Sequence, residues 1–391
     1  MSSLRVALVV RKFWPIVDGT QRLVSNLAHG LQRLGHAPTI LTAQWEKHWP
    51  REFIYRDVQV IRFPNWMQTG WGTLRYMSTL SRWLRGNSKQ FDAVYVTGLK
   101  YDAYTVVGML RKGPIPVTLS AVETGPDGDC AWHEQARFGR RIRRRCQLAD
   151  AMVTLSDAAS VELQNAGFAR DKIVRIDKGV RTMLAQDAAR RTAARKSLGK
   201  THDILSLKDD TPLAIYIGPF NKSMGLMPLM EAWHKVVGRL PNAKLWMMGD
   251  GPFGLPLWER VGELDLMHNI IFPGTFDDVT DVLQAADLFV QPGPHNHLAT
   301  AVLEAMACGT PVLSARSPES LDLLGSRTPM LDQVNSETLA EALLRVLQNE
   351  DRYVQTAELL RPIVAERFSL EQMVRQHVEL FRRLVVEKQL R

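Results

Sequence analysis

Short apolar runs alternate along this chain with stretches whose apolar positions recur every three or four residues. In the first half, residues 5–10 (RVALVV), PTILTA (38–43), VQVIRF (58–63), AVYVTG (93–98), PVTLSA (116–121) and AMVTLS (151–156) read as strands. Helical spacing predicts helices over 20–34 and 72–85, through VVGMLR (106–111), and over 133–148. Strands that are apolar throughout, separated by amphipathic helices, call for a parallel sheet covered on both faces. The alternation starts again at LAIYIG (213–218) and continues with AKLWMMG (243–249), NIIFPG (269–274), LFVQPG (288–293) and PVLSA (311–315). Helices are expected there at 225–238, 254–264, 277–285, 298–307, 336–348 and 369–388.

The expected organisation is therefore an N-terminal Rossmann-like domain over 1–180 and a second over 211–368, with a closing helix at 369–391 that packs outside or returns to the first domain. The stretch around 181–210 is rich in Ala, Arg, Lys and Asp and has no strand pattern, so it reads as the interdomain connection. No repeat of solenoid length occurs; the repetition is of whole domains.

Composition narrows the picture in two ways. The longest apolar runs are broken by charge well before the roughly 18 residues a membrane span needs. The first residues also lack the basic, apolar and small-residue pattern of a signal peptide, so a cytoplasmic protein is expected. The formal charge of +8 points to anionic partners: nucleic acid, an anionic membrane or phosphorylated ligands. Nothing resembling a helix-turn-helix, zinc finger or RNP strand accompanies the arginines, so nucleic acid is not expected. Three widely spaced cysteines without CxxC or HExxH give no disulfide framework and no zinc site, and no metal is expected.

Ligands of open parallel sheets bind beyond the carboxyl ends of the strands, where loops lead into helix N-termini. Three such loops stand out. In Pro15–Thr20, Gly19 would let backbone N–H groups approach a phosphate; equally, it could be a turn glycine needing positive φ. Gly249 and Gly251 follow AKLWMMG and could form a plain turn. In LFVQPGPHNHLATAVLEAMACGTPVLS, the N–H groups of Leu298, Ala299 and Thr300 would lie at the positive end of a helix that can hold a diphosphate. Glu304, further along that helix in an otherwise apolar segment, could meet a ribose hydroxyl, though an isolated helical Glu is usually a solvated charge.

With these segments in view, ADLFVQPG, VLEAMACGTPVLS, MMGDGP and IIFPGTFDDVTDVLQAADLFV resemble the donor-binding half of glycosyltransferase family 4. The N-terminal strand, the loop PIVDGT and the helix leading to LGHAPTILT resemble its acceptor-side half. The resemblance covers nearly the whole chain. It implies an α/β, GT-B fold, two Rossmann-like doubly wound domains facing a central cleft. It further implies a nucleoside-diphosphate-sugar donor as co-substrate, no other cofactor, no metal requirement, anomeric retention, and a glycan or lipid-linked acceptor. Gly218 would open the donor loop, and Ile271 and Phe272 would border the base through backbone.

Several motif positions depart from the family. Where an Arg and a Lys usually neutralise the leaving diphosphate, this chain has Pro219 and Met224, with Lys222 the nearest cation. The first of two glutamates is Asn296, able to hydrogen-bond a sugar hydroxyl but uncharged. Asp18 stands for the first of two glycines, and Gln21 for a following Glu. The acceptor-side histidine is absent, leaving Glu123, Asp127 and His133 as candidates, while Lys222 and Asn296 are the catalytic candidates. Two readings follow: a hexosyltransferase, or a catalytically degenerate GT-B protein acting as a binding or scaffold partner. Finally, the segment 70–86 places Leu74, Met77, Leu80 and Leu84 on one helical side with Arg75, Arg82 and Arg85 elsewhere. That pattern reads first as a core-packed helix with a solvated basic side, and second as peripheral contact with an anionic membrane at its inner face.

Overall fold

A computed structural model describes residues 3–66, 70–122, 124–125, 128–293, 300–317, 320–321, 330–348 and 351–390, the side chains at 351 and 352 excepted. The chain divides into two compact units, Met1–Gly179 with Leu370–Arg391, and Val180–Ser369.

In the first unit, strands β1 (Arg5–Val10), β2 (Ala37–Gln44), β3 (Glu52–Tyr55), β4 (Val58–Pro64), β5 (Ala93–Thr97), β6 (Val117–Ala121), β7 (Ala151–Thr154) and β8 (Ile173–Arg175) form one sheet in the order β3-β4-β2-β1-β5-β6-β7-β8. Only the β3–β4 pair is antiparallel. Its helices are α1 (Gly19–Arg33), α2 (Gly70–Asn87), α3 (Tyr101–Leu110), α4 (Asp129–Gln135), α5 (Gly139–Cys146) and α6 (Asp157–Asn165). Because side chains alternate along a strand, β1 serves two cores at once. Ala7 and Val9 join Tyr76, Leu80 and Leu84 of α2, Val106 of α3 and Ile142 of α5 on one face. Val6, Leu8 and Val10 join Leu27 of α1 and Val374, Val378 and Phe381 of the last helix (Leu370–Gln389) on the other.

Two expectations change here. The single helix read over 133–148 is α4 and α5 with a break between them, because Ala136 is extended (ψ 139°). A Cβ at Gly139 would lie 2.1 Å from the His133 carbonyl oxygen, so the close turn requires glycine there. On α2 the buried residues are Gly72, Tyr76, Leu80 and Leu84, whereas Leu74 is 58% exposed. The apolar side of α2 is therefore core.

The second unit holds α7 (Ala188–Thr201), β9 (Leu213–Ile217), α8 (Leu226–Arg239), β10 (Lys244–Met248), α9 (Gly254–Glu263), β11 (Ile270–Gly274), α10 (Thr280–Ala285), β12 (Leu288–Gln291), α11 (Thr300–Cys308), β13 (Val312–Ala315), β14 (Met330–Leu331) and helices Ser336–Leu347 and Asp351–Arg367. Its sheet runs β11-β10-β9-β12-β13-β14, every pair parallel. Leu213, Ile215 and Ile217 point into a core with α7, α10 and α11, while Ala214 and Tyr216 point into another with α8 and helix Ser336–Leu347.

The segment 181–210, expected to be a connection, belongs instead to this second core. Asp187 caps α7 by accepting a hydrogen bond from the Arg190 N–H at 2.8 Å. Buried Arg195 ties α7 to Asp287 at 2.9 Å and to the Ala285 carbonyl at 3.0 Å. The Ala- and Arg-rich composition that looked like a linker is that of a helix whose few apolar positions, Ala194 and Leu198, face inward.

Candidate functional site

In the second sheet β9 lies between β10 and β12, so connections leave it to opposite sides. The topological switch point falls at the carboxyl ends of β9 and β12, the position where such sheets bind ligands. Three loops meet there, backbone to backbone. The Gly218 N–H donates to the Met248 carbonyl at 2.9 Å, the Phe220 N–H to Asp250 at 2.9 Å, and the Phe253 N–H to Phe220 at 2.9 Å. A Cβ at Gly249 would stand 1.9 Å from the Gly218 carbonyl oxygen, and one at Gly251 2.5 Å from that of Phe220. On the β12 side, a Cβ at Gly225 (φ 66°) would meet the Pro292 carbonyl oxygen at 2.9 Å, and one at Gly293 the Met224 backbone at 2.8 Å. Loop-to-loop contact thus accounts for these glycines, and the fused loops form one floor at the carboxyl edge.

Side chains decorate that floor unevenly. Pro219 offers its carbonyl to the buried Tyr216 hydroxyl at 2.9 Å, and Met224 packs half-buried against the core, so neither position presents charge. Lys222, in the short 3-10 turn Lys222–Met224, is exposed and has no ion pair among the described residues. Ile271 and Phe272 are half-buried on β11, the Phe272 ring edge-on to Phe220 at 6.0 Å. Thr300 opens α11 and is buried, while Glu304, four residues on and therefore on the same helical face, is half-buried in a helix otherwise buried throughout. Asn296, Leu298 and Ala299 lie outside the described residues.

The first sheet has its own switch point between β1 and β5. There the loop after β1 is pinned from beneath. Buried Arg62 donates to the Trp14 carbonyl at 2.5 Å and the Pro50 carbonyl at 3.0 Å, its guanidinium lying 4.0 Å from the Phe53 ring centre and 5.0 Å from that of Trp49. Burial lowers the Arg62 pKa to about 10, which leaves it charged. Asp18 caps α1, its carboxylate accepting from the Gln21 N–H at 2.7 Å. Gly19 has no positive φ, and a Cβ there would meet nothing within 4 Å, so neither turn geometry nor packing requires glycine at this helix start. Two residues on, Gln21 is fully buried with neither amide atom bonded among the described residues. Buried polar groups left in that state are costly and call for a partner. The sequence flagged Gln21 only as a departure from Glu; its burial followed from its place on the inward face of α1.

His133 corrects an expectation. The ring has no exposed surface and its Nε2 sits 2.7 Å from the Leu99 carbonyl oxygen, so it knits α4 to the loop after β5 and does not face an acceptor. Burial also lowers its pKa, partly offset by that hydrogen bond. Glu123 and Asp127 lie outside the described residues.

Two doubly wound units with these edge loops define the GT-B class of fold. A solved Anabaena protein, Alr3699/HepE in complex with UDP and glucose, superposes on the chain with a TM-score of 0.74 at 15% identity, covering 96% of this chain and 99% of that one. Residues 17–183 match the family described as Glycosyltransferase Family 4, and residues 199–359 match Glycosyl transferases group 1. The chain belongs to the glycosyltransferases of GT-B fold and family-4 type. Over 173 residues it is 31% identical to the lipopolysaccharide core biosynthesis glycosyltransferase LpsE of Rhizobium meliloti, covering 44% of this chain and 50% of that protein. Over 179 residues it is 27% identical to N-acetyl-alpha-D-glucosaminyl L-malate synthase of Bacillus anthracis, covering 45% and 46%. The chain spans about half the length of these curated relatives. No described helix is long and apolar enough to cross a membrane.

Proposed function

We propose that the protein transfers a hexose from a nucleoside-diphosphate sugar to a glycan or lipid-linked acceptor, with retention and without a metal. The observation that supports this reading is the switch point of the second unit, where glycine-fused loops lie at the carboxyl ends of β9 and β12 and Glu304 is the half-buried position of α11, the helix that follows β12. A diphosphate at that helix start would be held by backbone N–H groups and the helix dipole, and Glu304 would accept from the ribose hydroxyls. Ile271 and Phe272 would border the base, and Asn296 the sugar. As the glycosidic bond breaks, negative charge grows on the departing diphosphate, and Lys222 is the cation available in the β9 loop to oppose it. Gly19 and Gln21 supply the first unit's anion-binding position: an unobstructed helix start beside an unpaired amide. The name of LpsE supports a glycan acceptor of the lipopolysaccharide kind.

The engagement of Pro219 and Met224 in packing favours a second reading, a protein that binds the donor or a partner without turning over. Hydrolysis of UDP-, GDP- and ADP-hexoses, followed by NMR of the released sugar, separates the two. Release of the sugar with the donor's anomeric configuration, falling at least about tenfold in Lys222→Ala, is expected for the transferase. Absence of turnover with every donor would leave the second reading.

A further inference from the structure

Helices α2, α3 and α5 cover the same face of the first sheet through one shared core. Their outward sides are unusual in charge. Helix α2 carries Arg75, Arg82 and Arg85 and no acidic residue; α5 carries five arginines in eight residues, again with none. The acid of α3, Asp102, is 5% exposed and accepts a hydrogen bond from the Tyr76 hydroxyl at 2.5 Å. Arg143 pairs with Glu134 of α4. Arg82, Arg85, Arg140 and Arg144 make no ion pair among the described residues, and Arg141 and Arg145 lie over Tyr104 of α3, at 5.9 and 3.8 Å from its ring centre. An ordinary solvated face interleaves both signs; this one presents a single sign across the helices.

Apolar side chains stand at one end of the same face. Trp71 and Leu74 are 73% and 58% exposed in the first turns of α2, and Phe138, immediately before α5, is 52% exposed. Because α2 leads toward β5 and α5 toward β7 in a parallel arrangement, both helices start at the carboxyl edge of the sheet. The apolar groups therefore share that edge, next to Arg75 and Arg137.

We propose that this face docks on an anionic lipid bilayer, with Trp71, Leu74 and Phe138 entering the headgroup layer and the arginines of α2 and α5 lying against anionic headgroups. Charge complementarity selects an anionic partner, and the exposed aliphatic Leu74, one helical turn from the exposed Trp71, selects a bilayer over a polynucleotide, to which an aliphatic side chain offers no stacking. The inference does not depend on the transfer reaction, because binding is read without a donor.

The test is co-sedimentation with phosphatidylcholine vesicles and with vesicles containing roughly one-third phosphatidylglycerol, in about 0.1 M salt. The expected result is binding at least about tenfold stronger to the anionic vesicles and released by about 1 M salt. The exposed quadruple variant Arg82→Glu, Arg85→Glu, Arg140→Glu, Arg144→Glu, its fold checked by circular dichroism, is expected to lose binding by more than about tenfold. Trp71→Ala with Leu74→Ala is expected to weaken it several-fold while the salt dependence persists. Equal binding to both vesicle types, wild-type binding by the quadruple variant, or binding to single-stranded RNA without binding to anionic vesicles would overturn the proposal.

Discussion

Gly249 and Gly19 are both glycines in edge loops, yet the structure gives them opposite duties. At Gly249 a methyl group would overlap the Gly218 carbonyl oxygen at 1.9 Å, so Gly249→Ala must displace the β9 loop. A loss of about 1–3 kcal/mol in denaturant unfolding is expected, the usual cost of forcing extra volume into a packed site. Gly19→Ala meets nothing, so stability should stay within about 0.5 kcal/mol of wild type. Equal destabilisation of both variants would contradict the assignment. From sequence these glycines look alike, since spacing shows a turn but not which carbonyl lies behind it. Pro219 and Met224 were legible as uncharged; that Pro219 receives the Tyr216 hydroxyl and Met224 packs half-buried against the core was not, because both depend on contacts made only in the folded loop.

At the scale of elements, the well-buried strands of both sheets were legible from apolar runs, since a strand buried on both faces writes its burial into every position, whereas the short, partly buried β3, β8 and β14 were not read. Helices α6 and α7 and the helix Asp351–Arg367 were not, because their inward positions are few or alanine-rich and carry little periodic signal. The last helix (Leu370–Gln389) packs on α1, where a Cβ at Gly30 would meet the Val374 side chain at 2.3 Å. Gly30→Ala, which favours helix by propensity alone, is therefore expected to destabilise the first unit in thermal unfolding. The same helix carries a buried His377 whose Nδ1 lies 2.8 Å from the Met373 carbonyl oxygen and whose pKa burial pushes down to about 4. Folding then disfavours the protonated ring. The resulting stability is complete above the unfolded pKa near 6.5 and declines as pH falls from there toward 4, by up to about 3 kcal/mol. Melting curves between pH 7 and 4 should show this decline in wild type and a shallower one in His377→Leu; parallel curves would contradict it.

At the scale of the whole molecule, the doubled βαβ alternation was enough to expect two doubly wound units, and the segment LEAMACGTPV marked the second as the donor-binding half. Net charge said only that an anion was involved. Its distribution is uneven: arginines cluster on the exposed sides of α2 and α5, whereas the loop after β9 has Pro219 and Met224 with Lys222 as its cation. If the proposed function holds, the switch point of the second unit binds a nucleoside-diphosphate sugar through the start of α11 and Glu304. The most direct measurement is a thermal-shift series of the intact protein with millimolar UDP-, GDP- and ADP-hexoses, repeated on Glu304→Ala. Stabilisation by one nucleotide class is expected, on the order of 1–3 kcal/mol when the donor exceeds its Kd by tenfold to a hundredfold, together with its loss in the variant. No shift with any donor, or a shift that persists unchanged in Glu304→Ala, would contradict it.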